Sequence, residues 1–290
     1  MLRYLVILLD ADAPSFCHYP DPPKGGDRMD VETLRKAVYF AQTRDLAVDV
    51  LCSRPPGKEL REELDKINHI YIGQWDLTSD SIWDITVLDT PERLANFKPN
   101  RDKNVILRLS LSQMHMLPEM LCRYSNRFLR LNVMFTDSWT MTPERAEEYR
   151  SLLESLPSLP EGVQVNIITD RATLERPNHC GAGETHLTVA PNGNFYVCPG
   201  FFADDPDHSC GSLDTGPAVP LAQLYQLDHA PLCRQCDAWQ CKRCVWMNRL
   251  RTREVNTPSR GQCITAHVER NFAVPDNPTS YLDPFEIIGR

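Results

Sequence analysis

Four cysteines crowd into twelve residues of this chain, Cys233-Arg-Gln-Cys236-Asp-Ala-Trp-Gln-Cys241-Lys-Arg-Cys244, as two C-x-x-C pairs. Thiols that dense converge on one or two centres once deprotonated, and soft thiolates favour zinc or iron–sulfur clusters. Cys180, Cys198 and Cys263 flank the quartet, so seven thiols constrain how the last third can fold. A disulfide framework is the rival reading. Against it stand the odd total of eleven cysteines and a length of 290 residues, far beyond the small secreted domains that need staples.

That length, with 42% hydrophobic residues, is enough for a full core in one large domain or two. The opening Met-Leu-Arg-Tyr-Leu-Val-Ile-Leu-Leu-Asp has too short an apolar run before Asp10 and Asp12 for a signal peptide or a membrane span. It reads as a buried first strand. The expectation is a cytoplasmic protein with no membrane partner, its thiols reduced and open to metals. The net charge of −8 argues against broad nucleic-acid binding. Between Cys233 and Cys263, however, Arg234, Lys242, Arg243, Arg249, Arg251, Arg253 and Arg260 outnumber Asp237 and Glu254. They are either a solvated basic face or compensation for an anionic cluster held by thiolates.

Short apolar runs alternate with amphipathic stretches through residue 170. Strands are expected at Tyr4–Leu9, Leu46–Cys52, His69–Gly73, Asp84–Leu88, Val105–Leu109, Leu129–Phe135 and Val163–Ile168. Val31, Leu34, Val38 and Ala41 recur at helical spacing, and Thr90-Pro91-Glu92 and Thr142-Pro143-Glu144 each read as a helix start. This alternation signals an α/β domain with a largely parallel sheet over residues 1–176. From residue 177 to 274 cysteine, glycine and proline become frequent. A hairpin is expected where Thr188–Ala190 and Phe195–Val197 flank Pro191-Asn192-Gly193-Asn194. Short helices are expected at Leu221–Leu227, Lys242–Leu250 and Ile264–Phe272, and residues 275–290 read as a tail. A core this small would need metal crosslinks.

The order of the seven cysteines carries a resemblance. Cys180 is followed by twelve residues, Gly193, four residues and Cys198; then come the quartet and Cys263. This resembles the SPASM domain, the auxiliary-cluster region at the C-terminus of many radical SAM peptide-modifying enzymes. The strings Ser15-Phe16-Cys17-His18-Tyr19, Asn178-His179-Cys180-Gly181-Ala182-Gly183, Cys241-Lys242-Arg243-Cys244-Val245-Trp246 and Glu254-Val255-Asn256-Thr257-Pro258-Ser259 look like the CXXX repeat peptide maturases. The resemblance implies two 4Fe–4S clusters, one on Cys180, Cys198 and Cys244, the other on Cys233, Cys236, Cys241 and Cys263. Zinc held by four of the thiols is the alternative. A cysteine-rich, ribosomally made precursor peptide is the implied partner, with a separate modifying enzyme as a second.

A radical SAM enzyme needs a C-x-x-x-C-x-x-C loop, and no stretch here supplies it; the region after the first strand has Cys17 alone. The fold expected from the resemblance is therefore a degenerate or partial radical-SAM-like β/α barrel followed by a SPASM-like iron–sulfur domain. Such a chain is not expected to cleave S-adenosylmethionine by itself. It is either a peptide maturase or a non-catalytic partner of one.

Cys17 and His18 are candidate catalytic residues, because they follow a parallel strand, where α/β sites gather, and a thiol beside an imidazole suits nucleophilic or exchange chemistry. Adjacent residues point apart in a strand, so neighbourhood alone does not make a dyad. Asp10 and Asp12 could share a face for a cation, though such residues more often cap a strand end. Cys52, Cys122 and Cys210 read as small buried hydrophobes or loop thiols. Trp239 and Trp246 read as shields that keep water from a cluster.

Overall fold

The computed structural model describes residues 1–74, 82–89, 93, 96–97, 104–124 and 128–272. In chain order its strands are β1 (Tyr4–Leu8), β2 (Ala47–Leu51), β3 (His69–Gln74), β4 (Ile85–Leu88), β5 (Asn104–Leu109), β6 (Arg130–Phe135), β7 (Gln164–Val165), β8 (His186–Val189), β9 (Phe195–Tyr196), β10 (Gly211–Ser212) and β11 (Gly216–Pro217). The α-helices are α1 (Val31–Gln42), α2 (Lys58–Leu64), α3 (Leu117–Tyr124), α4 (Pro143–Glu154), α5 (Asn166–Thr173), α6 (Pro199–Asp204), α7 (Val245–Thr252) and α8 (Arg260–Phe272). The chain is a mixed α/β protein whose strand pairs are mostly parallel. Among the described residues no helix is long and apolar enough to cross a membrane.

Packing divides the chain into two compact units, one of Met1–Phe97 with Gly181–Ala230, the other of Lys98–Cys180 with Pro231–Arg290. Each unit therefore draws on both sides of the change in sequence character near residue 176.

In the first unit the strand order is β4-β3-β2-β1-β8-β9. Every pair is parallel except β8 with β9. Leu5 and Ile7 of β1 share a buried cluster with Val48 and Val50 of β2, Leu187 and Val189 of β8, and Leu34, Val38 and Ala41 of α1. The period of two along each strand meets the helical spacing of α1, and that match buries the core. Asp30 caps α1 by accepting from the Thr33 N–H at 2.7 Å. The β8–β9 hairpin turns at Gly193, whose φ of 76° suits a residue without Cβ. Asp10, at the end of β1, is not placed for a cation. Its carboxylate accepts from Arg28 Nε at 2.6 Å, from Arg28 Nη2 at 2.8 Å and from the Ser53 N–H at 2.9 Å.

In the second unit β5, β6 and β7 pair in parallel, and α4 and α5 pack against α8. Thr142 caps α4 as its sequence indicates, accepting from the Arg145 N–H, with Pro143 in the first turn. The strand expected at Val163–Ile168 ends after Gln164–Val165. Asn166 replaces it with its own amide, accepting from the Val133 N–H at 2.8 Å and donating to the Val133 carbonyl at 2.9 Å. The backbone is thereby free to turn into α5. Gly261 opens α8 at a close approach, where a Cβ would collide with the Trp139 carbonyl oxygen.

Two helices expected nearby take other forms. Leu221–Leu227 is a pair of tight 3-10 turns, Ala222–Tyr225 and Leu227–His229, entered through Leu221 at φ 49°. The helix expected at Lys242–Leu250 begins only at Val245, because Arg243 has a left-handed φ of 42°. The helix start at Thr90-Pro91-Glu92 and the tail 275–290 lie outside the described residues.

Candidate functional site

Five of the seven predicted thiol ligands, and Cys180 with its neighbour His179, belong to the second unit or its edge; Cys198 belongs to the first. The site is built from the loop between the two C-x-x-C pairs. Asp237 is held by Arg270, whose Nη1 donates at 2.6 Å, with Arg171 Nη2 at 3.9 Å. Arg171 also lies over the Trp239 ring, 5.4 Å from its centroid. Gln240 donates to the Ala266 carbonyl at 2.6 Å, which ties the loop to α8. The Asn178 N–H reaches the Trp239 carbonyl at 2.8 Å, and the Cys180 N–H reaches the Lys242 carbonyl at 2.7 Å. Cys180 is thus laid alongside the second C-x-x-C pair.

The left-handed turn at Arg243 serves the sulfurs directly. It lets the Arg243 N–H donate to Cys241 Sγ at 3.4 Å, and the Met247 N–H at the start of α7 donates to Cys244 Sγ at 3.5 Å. Hydrogen bonds of this kind favour the thiolate over the thiol.

Cys263 arrives on the first turn of α8. That helix start is fixed by a reciprocal cap in which the Ser259 N–H donates to Gln262 Oε1 at 2.8 Å and the Gln262 N–H to Ser259 Oγ at 3.4 Å. Gln262 also donates to Asn248 Oδ1 at 3.0 Å, and Asn248 donates to the Val255 carbonyl at 2.9 Å. The pair buttons α7, the loop after it and α8 together.

Cys233, Cys236, Cys241 and Cys263 stand close enough to feel one another's charge. Burial pushes the Cys241 thiol up to about 12; the Arg243 N–H opposes this, and the charges of Cys233, Cys263 and Glu269 add to it. Burial likewise lifts Cys263 to about 12, with Cys233 and Cys236 adding to the shift. Cys233 rises to about 11 through burial, with the Arg243 guanidinium pulling down and Cys236 pushing up. Without a cation Cys233, Cys241 and Cys263 hold their protons at neutral pH. A metal centre would replace those protons with positive charge, and that is the chemistry the donor set fits. Among the described residues no group of three or more His, Cys, Asp or Glu is arranged to hold a single metal ion.

His179 and His267 border the thiols. Burial, and then the cations Arg243 and Lys242, depress His179 to about 4. Burial, followed by the charge of Arg270, depresses His267 to about 4, and its Nε2 lies 3.5 Å from Cys236 Sγ. The sequence reading missed His267, although Cys263-x-x-x-His267 on a helix places both residues on one face. It also missed Asn248 and Gln262, whose roles depend on distant backbone.

The other candidates are placed as follows. Cys17 and His18 lie half-buried in the loop after β1, where Ser15 Oγ accepts from the Cys17 N–H at 3.3 Å and the Ser15 N–H donates to Asp21 Oδ1 at 2.7 Å. Cys52 and Cys210 are buried in the first unit's apolar cluster, and Cys122 is exposed. Trp246 is buried and Trp239 half-buried.

No protein-family model matches the chain. No curated protein sequence matches it either. Among solved structures, the crystal structure of Streptococcus suis SuiB bound to precursor peptide SuiA is similar at 13% identity, with 91% of this chain and 76% of that one covered and a TM-score of 0.47. The crystal structure of BtrN in complex with AdoMet and 2-DOIA is similar at 11% identity, with 74% and 79% covered and a TM-score of 0.28.

Proposed function

We propose that this chain is an iron–sulfur protein acting in the maturation of a ribosomally made peptide with repeated cysteines. The observation that carries the reading is the company kept by Cys233, Cys236, Cys241 and Cys263, four thiols within electrostatic reach of one another with a backbone N–H donated to Cys241 Sγ. These four residues would hold a 4Fe–4S cluster, and residues 177–274 would form the SPASM-like part of a degenerate radical-SAM scaffold. A cluster held by four thiolates would supply one-electron transfer.

The chain's own residues do the rest. Buried Arg243 offsets negative charge beside Cys233. The loop pinned by Asp237 and Gln240 keeps the two pairs apart, and buried Trp246 with half-buried Trp239 would limit water. Exposed Arg251, Arg253 and Arg260 would attract an acidic leader segment of the peptide. Without the C-x-x-x-C-x-x-C loop, radical chemistry would come from a separate enzyme, and this chain would bind the peptide or carry electrons.

Anaerobic purification followed by iron and sulfide analysis tests the reading. A brown protein absorbing near about 400 nm is expected. Its iron should fall in Cys241→Ser, and a synthetic cysteine-repeat peptide should bind it. A colourless protein with stoichiometric zinc overturns the electron-transfer role. Iron without peptide binding overturns the maturation role alone.

A further inference from the structure

We infer that His267 donates a hydrogen bond from Nε2 to the Cys236 sulfur and so tunes the centre that Cys236 helps to hold. The inference rests on the iron–sulfur reading above. The imidazole sits one helical turn beyond Cys263 on α8, so the same face of the helix delivers a thiol and a ring nitrogen. Its Nε2 is 3.5 Å from Cys236 Sγ, and its Nδ1 is buried with no hydrogen-bond partner.

That asymmetry separates a donor from a ligand. A metal-binding histidine almost always anchors its second nitrogen through an N–H to a carboxylate, carbonyl or water. Nδ1 of His267 reaches no carboxylate or carbonyl of the described residues. A thiolate presents lone pairs, so the nitrogen facing it must carry the proton, which leaves Nδ1 as a bare lone pair. No donor is needed there for that tautomer to persist. The neighbouring charges are already engaged: Arg270 donates to Asp237 at 2.6 Å and to Asn271 at 3.0 Å. An N–H donated to a cluster sulfur withdraws charge and favours the more negative, reduced state, which raises the reduction potential. His267 is therefore a positioning and tuning residue that acts through Cys236.

Potentiometric titration of anaerobic wild type, H267F and H267Q, with iron and sulfide measured on each, tests this. All three are expected to hold equal iron. H267F should reduce at a more negative potential than wild type. H267Q should recover much of that shift, because a glutamine amide N–H reaches about as far as Nε2. Pulsed EPR of reduced wild type with isotopically labelled histidine gives a readout that needs no substitution, and one weakly coupled nitrogen is expected. An unchanged potential in H267F, equal shifts in H267F and H267Q, or a strongly coupled nitrogen each overturns the inference. Loss of iron in H267F with recovery in H267C makes His267 a ligand instead. Wild type without iron removes the underlying reading before any variant is made.

Discussion

The two units bury cysteines to a similar degree and use them differently. In the first unit burial pushes Cys52 up to about 12 and Cys210 to about 11. In the second unit Cys241 and Cys263 stand at about 12. Burial alone therefore does not mark a metal thiol. Cys52 and Cys210 lie singly among Leu5, Val50 and Phe195 and serve as small hydrophobes. Cys233, Cys236, Cys241 and Cys263 of the second unit lie within electrostatic reach of other thiols, and Cys241 and Cys244 accept backbone N–H groups. The surrounding architecture differs to match. Among the described residues the first unit is an apolar sheet-and-helix core with the Arg28–Asp10 ion pair beside it, whereas the second depends also on side chains that grip distant backbone, as Asn166, Gln240 and Asn248 do.

On the proposed iron–sulfur reading, the contrast breaks most visibly when metal is removed. Chelation of iron with loss of sulfide should abolish hydrogen-exchange protection over residues 231–272 while amides of β1 and β8 stay protected. Equal loss in both units would erase the distinction. Next in size is the ion pair. Asp10→Ala leaves Arg28 only its bonds to the Arg54 and Pro55 carbonyls and takes the acceptor from the Ser53 N–H, and should cost about 1–3 kcal/mol in urea unfolding.

The buried carboxylate of the second unit gives a pH signature. Burial raises Glu269 from 4.5 to about 7, and the hydrogen bonds from Tyr149 and Gln240 oppose that shift only in part. The folded state then holds the proton more tightly than the unfolded one. Its contribution to stability is full below about pH 4.5, declines up to about pH 7 and is constant above that, a loss of a few kcal/mol. Unfolding midpoints measured across that range should show the decline, and Glu269→Gln should flatten it. The smallest expected effect is Cys52→Ala, at about 1 kcal/mol for the lost sulfur with full iron retained. Iron loss in that variant would contradict the assignment of Cys52 to the core.

Legibility in the sequence follows the same divide. The strands at Tyr4–Leu8, Ala47–Leu51, His69–Gln74 and Asn104–Leu109 lie within a residue of where apolar runs put them, because burial on a parallel sheet writes itself into composition. The Asn-Gly turn and the Thr-Pro-Glu helix start of α4 are local chemistry and equally readable. Asn166 is not, because its partner, Val133, is 33 residues away and an asparagine after a strand looks like a loop. The cysteine spacing suggests a metal centre, zinc or iron–sulfur. It did not indicate the left-handed Arg243, the Ser259–Gln262 cap or the approach of His267 to Cys236, all of which arise only once the backbone has folded.

The interleaved chain path has a consequence for birth on the ribosome. The first 97 residues emerge with β1 bonded on one side only, and its other neighbour, β8, is made after the entire Lys98–Cys180 stretch. During that interval an apolar strand offers an unpaired edge, the situation that invites aggregation. Nascent chains should therefore engage chaperones until Val189 is exposed. Any centre that includes Cys263 could be completed only after α8 has been made, later than every strand of either sheet.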